Sequence, residues 1–226
     1  PSKYQITLYK LGLCTSDPFH NIDASVNASP SGKCTWTLDT PSGTTIDLGA
    51  SLDTPISLPS SSINPPPGTY THMMMVMGNQ IIVNGSITTQ DGTYYSKPNS
   101  VENDSPGIFD KTLTAAQDFT HEFSTYGFNI RDSCNYNYQR TITNQGVIRA
   151  VITNTDLVTQ TTCSDPTRMV GVFNPENDLV ITDSTKGLEI KFTISDGGMQ
   201  IETHTDLGDQ PNWGYSGDFR PTFTSF

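Results

Sequence analysis

His72 is followed directly by Met73, Met74 and Met75, and Met77 comes two residues later, so five metal-capable side chains fall within six positions. Thioethers together with an imidazole are the donor set that suits Cu(I). The spacing argues against a shared site. In a β-strand, side chains alternate between faces, which sends Met73, Met75 and Met77 one way and His72, Met74 and Val76 the other. Both faces are then largely apolar, the pattern of a central strand covered on both sides. The sequence therefore predicts a core strand here, with no metal and no other cofactor. A membrane span is excluded as well: it needs about 20 consecutive apolar residues, and Gly78, Asn79 and Gln80 break the run.

The remaining chemistry-bearing residues are scattered. His20, His121 and His204 lie far from His72, and none stands in a metal-spaced motif such as H-E-x-x-H. There is no G-x-S-x-G elbow, phosphate-binding glycine loop or dinucleotide fingerprint. Asp118, Glu122 and Glu189 would serve glycoside hydrolysis only if the fold brought two of them to one cleft. Asp91, Asp104, Asp183 and Asp196 stand in or beside turns, where oxygen ligands for Ca²⁺ can gather, but no EF-hand pattern accompanies them. Asn27, Asn84 and Asn103 head N-x-S sequons. No catalytic residue is assigned, and the chain is not read as an enzyme. Near the C-terminus, Trp213, Tyr215, Phe219, Phe223 and Phe226 cluster in "DQPNWGYSGDFRPTFTSF". Trp213 and Tyr215 are the candidate glycan contacts, because aromatic faces stack on sugar rings; the other reading is that the cluster seals one end of a β-sandwich. An outer-membrane barrel strand is rejected, since Arg220, Thr222 and Thr224 are polar where lipid contacts would stand.

The elements that must position these residues are strands. Thr, Ser, Asn, Gly and Pro dominate, and charged residues are only 15% of 226, a profile of exported all-β proteins. Period-two patterning recurs in "YQITLYKLGL" (4–13), "CTWTLD" (34–39), "YTHMMMVM" (70–77), "QIIVNGSITT" (80–89), "RTITNQGVIRAVIT" (140–153), "RMVGVF" (168–173), "DLVIT" (179–183), "GLEIKFTI" (187–194) and "MQIETHT" (199–205). Gly, Pro and Asn punctuate the gaps. The pattern predicts one antiparallel, Ig-like β-sandwich over 1–226, with long loops and at most one short helix, at 113–123. It also predicts a hairpin in which 187–194 pairs with 199–205 across Asp196-Gly197. The polar interval 97–107 is either a boundary between two lobes or a surface loop.

Charge and cysteines bound the partners and the compartment. With 23 acidic and 12 basic side chains the net charge is −11, which repels nucleic acid phosphates and anionic membrane surfaces. Four cysteines allow three connectivities; the local one, Cys14 with Cys34 and Cys134 with Cys163, is favoured, and such disulfides form in an oxidising compartment. The opening at Pro1, without an initiator Met or signal-like segment, is expected of an exported chain whose signal peptide has been cleaved.

The opening strand "YQITLYKLGLC", the "TTIDLGASLDTPISL" stretch and "PPGTYTH" leading into the methionines together resemble a group of uncharacterised exported bacterial proteins, some related to prealbumin-like carbohydrate-binding sandwich domains. The resemblance covers about residues 4–90, and "HMMMVM" departs from the mixed polar and apolar strand of that pattern. It implies a sandwich fold and export. In residues 1–13, Tyr4, Ile6 and Leu8 share one face, while Tyr9, Leu11 and Leu13 shift to the other. Such a strand can complete a neighbour's sheet. Repeated head-to-tail, that contact builds a homopolymer. The leading expectation is a subunit of an extracellular, pilus-like filament or surface assembly built from copies of this chain. The alternative is a secreted carbohydrate-binding or adhesion module, or a virion surface protein.

Overall fold

The computed structural model describes residues 2–19, 28–50, 54–58, 64–98, 109–122, 137–158, 167–193, 199–204, 210–216 and 220–226; for Glu122, Asn137, Tyr138, 199–204, 210, 212–216 and Arg220 it describes the backbone path alone. The fold is all-β and antiparallel, and no helix occurs among the described residues.

The main sheet is built around β1 (Lys3–Cys14). One edge of β1 pairs with β2 (Cys34–Asp47), from Gln5 opposite Asp47 to Cys14 opposite Cys34. The other edge pairs with β4 (His72–Gly78) from Leu8 to Cys14 and with β5 (Gln80–Asn84) from Lys3 to Gln5. Beyond β4 come β12 (Arg168–Pro175), β11 (Gly146–Thr153) and β10 (Asn137–Ile142), and beyond β5 comes β9 (Phe119–Glu122). Strands from before and after the interval 97–107 thus share one curled sheet. A second layer holds β3 (Gly68–Tyr70) paired with β13 (Leu179–Ile181), and β14 (Leu188–Thr193) paired with β17 (Arg220–Ser225). The remaining pairs are β6 (Ser86–Thr89) with β7 (Gly92–Ser96), β7 with β8 (Phe109–Asp110), and β15 (Met199–His204) with β16 (Gln210–Ser216).

One extra residue organises the centre. Between Leu8 and Lys10, β1 takes two steps while β4 takes one, from Met77 to Val76, so Tyr9 is bulged. The bulge resets the alternation. Leu11 and Leu13 therefore return to the face of Tyr4, Ile6 and Leu8, opposite Met75 and Met73, instead of crossing over with Tyr9 as simple alternation predicts. All five are buried with β4's Met73 and Met77, and only Tyr9 goes to the other side.

The sheet thus has two unlike faces. The methionine face carries Leu8, Leu11, Met77, Ile81, Phe119, Ile152 and Met169, with Ile190 and Phe192 of β14 packed against them. At its other end Leu13, Met73, Phe173 and Ile148 meet Tyr70, Leu179 and Ile181, and the rings of Phe173 and Phe223 stack with centroids 5.5 Å apart. The opposite face carries Met74, Val76, Val151, Val170 and Val172, covered by Phe19, Tyr9 and Trp36. Met73, Met75 and Met77 lie on one face and Met74 and Val76 on the other, as the alternation predicts.

Two local expectations are corrected. Residues 113–122 form bends followed by β9; Leu113 and Ala116 are half-buried and Phe119 buried, so the inward spacing is real, but the backbone of Phe119–Glu122 is committed to β5. The expected pairing of 187–194 with 199–205 is replaced by a nested arrangement: β14 pairs with β17 outside, and β15 pairs with β16 inside. Apolar matching decides this. Leu188, Ile190 and Phe192 bury against the methionine face beside Phe223, a gain that an Asp-Gly turn signal does not encode.

The stretch 140–153, expected as one strand, is also corrected: it folds back on itself as β10 and β11. The β10–β11 hairpin turns through Asn144 at φ 59° and Gly146 at φ 132°, where a Cβ on Gly146 would come within 2.8 Å of Pro175 Cα and closer still to the Asn174 carbonyl oxygen.

Candidate functional site

Three aromatic rings on or beside the sheet's second face each carry a cation. Lys10 Nζ stands 5.1 Å from the Trp36 ring centroid, the Arg149 guanidinium carbon 5.2 Å from that of Phe19, and the Arg168 guanidinium carbon 3.6 Å from that of Tyr9. Register places them together. Trp36 is opposite Gly12, Lys10 opposite Asp39, and Arg168 opposite Gly78, all on the side that the Tyr9 bulge opens.

Small residues let the rings lie against the strands. A Cβ on Gly12 would come within 2.8 Å of Trp36 Cε3 and 2.9 Å of Cζ3, so the indole rests across bare backbone. Tyr9 is bracketed in the same way, its Cε1 3.0 Å from a Cβ placed on Gly43 and its Cε2 3.9 Å from one on Gly78. Both rings are half-buried. Over the Trp36 ring, Lys10 Nζ donates to Asp39 Oδ2 at 2.9 Å. Trp36, Lys10 and Asp39 therefore form one patch, a plate with a cation over it and that cation's carboxylate partner beside it.

The third pair belongs to the loop after β1. Arg149 Nη2 meets Asp17 Oδ1 at 2.7 Å, the Phe19 N–H donates to the same oxygen at 2.9 Å, and Lys33 Nζ donates to the Asp17 carbonyl at 2.7 Å. Burial opposes the Asp17 carboxylate, but these hydrogen bonds and the Arg149 charge outweigh it and hold its pKa below the usual range. The Cys14–Cys34 disulfide closes the base of the loop. His72 adjoins this cluster, with Nδ1 2.8 Å from Thr71 Oγ1; loss of solvent lowers its pKa, against the raising pull of Asp17.

The other sequence-derived candidates do not converge. Asp118 lies at the start of β1, 2.5 Å from Lys3 Nζ and 2.9 Å from Asn84 Nδ2, which together hold its pKa down. Asn84 is thereby engaged, and Ser2 Oγ donates to its Oδ1 at 2.9 Å. Glu189 is exposed on β14, and Asp91 and Asp183 are exposed in turns. No cluster of three His, Cys, Asp or Glu residues occurs among the described residues. Cys134, Cys163, His20, Asn27, Asn103, Asp104, Asp196 and Phe219 lie outside the described residues. Trp213 and Tyr215 stand in β16, opposite Glu202 and Gln200, with only their backbone described. A narrow cleft runs between the main sheet and β14 and β17; Thr37 is the one polar side chain that lines it. No described helix is long and apolar enough to cross a membrane.

Fold and face together define an all-β, disulfide-bonded, sandwich-like module with a ring-and-cation patch on its sheet. No family model, curated protein or solved structure matches this chain.

The sequence reading missed Trp36, Lys10, Asp39 and Arg168. Lys10 and Gly12 interrupting an apolar strand, two positions apart, was the available signal, and it acquires meaning only once β2 is known to pair with β1.

Proposed function

We propose that this protein is a non-enzymatic binding module of an extracellular or virion surface, taking glycans on the Trp36 face. The observation that carries the reading is the patch itself. A pyranose presents an apolar face and a rim of hydroxyls. Trp36 supplies the plate, and Lys10, which a stacking sugar would displace from over the ring, and Asp39 supply a donor and an acceptor. The disulfide supports export, and the prealbumin-like resemblance of residues 4–90 belongs to the same proposal. A glycan array of the intact protein tests it: hits that Trp36→Ala abolishes support the reading, and silence across neutral and acidic glycans removes it. Trp213→Ala in parallel separates this patch from the C-terminal aromatic pair.

Head-to-tail polymerisation through β1 is the second reading, favoured by how deeply that strand is buried. Tyr4 and Leu8 are 0% exposed, so withdrawal of β1 would open a continuous groove between β2 and β4–β5. The reading requires β1 to seat in the neighbour's sheet instead of its own, where it pairs along both edges. Cys14 would then face Cys34 of the next copy, so polymers would carry disulfides between chains. Non-reducing electrophoresis of concentrated native protein distinguishes the two. A covalent ladder that disappears with residues 1–13 supports the donor strand, and a single monomer band rejects it.

A further inference from the structure

Among the three ring-bound cations, two are neutralised. Lys10 pairs with Asp39 and Arg149 with Asp17, whereas Arg168 meets no carboxylate among the described residues. Among the described residues it contacts the Tyr9 ring and the Thr167 carbonyl, to which Nη1 donates at 2.9 Å. The contact with Thr167 and the ring orients the guanidinium, and the Nη2 and Nε side of the fork has no protein acceptor among the described residues. A half-buried, oriented guanidinium is built to meet a planar anion through two parallel N–H donors.

From this we infer that the patch selects acidic sugars, with Arg168 holding the carboxylate of a uronic acid unit while Trp36 stacks a neighbouring ring. The inference rests on the Trp36 reading given above and goes further by naming the ligand class. Tyr9 and Gly12, which underlie the two subsites, are three residues apart on β1, about 10 Å at the usual rise per residue. That is the span of a short oligosaccharide, not of one sugar. Charge complementarity is local: the chain carries −11 overall, but screening at physiological salt confines a bound carboxylate's interactions to charges within about 8 Å.

The test is calorimetric titration of the intact protein with an oligomer of galacturonic acid and with the same oligomer methyl-esterified at its carboxyls. Esterification removes the charge and keeps the sugar framework. Wild type is expected to bind the free acid about tenfold tighter than the ester. Arg168→Gln should close that gap and leave ester binding unchanged, and Arg168→Lys should restore only part of it, since the charge returns without the fork. Equal affinity of wild type for acid and ester, or an Arg168→Gln loss that is the same for both, overturns the inference while the Trp36 reading stands. If neither oligomer binds and the glycan array is also silent, the Trp36 reading falls and this inference with it. Thermal midpoints of both variants within a few degrees of wild type assign any change to the site.

Discussion

The two faces of the β1–β4–β12 sheet are made by the same strands, yet they solve different problems. On the methionine face, Leu8, Met77 and Ile81 are 0% exposed and meet a second layer of strands. Unbranched thioethers fill an uneven interface between twisted layers, as Met75 does where it reaches over Gly171. On the ring face no second sheet arrives among the described residues; Tyr9 and Trp36 lie down over glycines, and cations lie over the rings. One face buries hydrocarbon to hold the fold. The other also buries hydrocarbon, Met74, Val76, Val170 and Val172, but two rings of its cover, Tyr9 and Trp36, stay half-exposed, which is the condition for recognition.

The comparison breaks most readily at Leu8. Leu8→Ala removes buried methyl groups where two layers limit collapse, and it should cost about 2–5 kcal/mol. Denaturant unfolding with an unchanged m-value would measure it. A cost below about 1 kcal/mol would mean that the methionine face is loosely packed and that the two faces do not differ as described.

Next in size is the disulfide. Cys14 and Cys34 are 20 residues apart, and losing that loop closure in the Cys14→Ser, Cys34→Ser double variant should cost about 3 kcal/mol. The effect sharpens the comparison because the loop supplies Phe19 and Asp17 to the ring face alone. Near-ultraviolet circular dichroism at temperatures where the variant is still folded should retain the signal of the Phe173–Phe223 stack and lose part of that from the ring face.

Much of the sheet was legible because it obeys period two: the segments containing β1, β4, β11 and β12 were read from alternation, and the division of the methionines between faces followed directly. What was not legible depends on single insertions and on distant pairing. The Tyr9 bulge shifts half of β1 by one position without a composition signal. The choice of β17 over β15 as partner for β14 is made by Phe223 against Phe173, 50 residues apart. The turn at Asn144 and Gly146 was missed as well: 140–153 was read as one strand, because its apolar alternation runs on through the three residues that reverse the chain. Trp36 and Lys10 were overlooked because their meeting requires β2 to return beside β1.

Acid should test the methionine face separately. His121 is opposite Ile81 in register and so shares its face; loss of solvent there pushes its pKa down to about 4. A base whose folded pKa lies below its unfolded value of about 6.5 binds fewer protons when folded, so stability is full above pH 6.5 and falls as the pH drops toward 4. The loss should approach 3 kcal/mol at the acid end, an order-of-magnitude figure. His121→Leu should flatten unfolding free energy across that window. An unaltered slope in the variant would assign the acid sensitivity to other groups.

The smallest effect is expected on the ring face. Lys10 touches the Trp36 ring and Asp39, with about a third of each charged side chain exposed, so solvent screens both interactions. A double-mutant cycle with Lys10→Met and Trp36→Leu should give a coupling of about 0.5–1 kcal/mol. Coupling near zero would make Lys10 a bystander over the ring and leave Asp39 as the only oriented polar group beside the indole. Coupling above about 2 kcal/mol would mean that the pair is desolvated and structural, which would erase the contrast between a face that holds the fold and a face that stays available to a ligand. A value in the expected interval keeps Lys10 oriented by the ring yet cheap to displace toward a hydroxyl, the balance a sugar-binding rim requires.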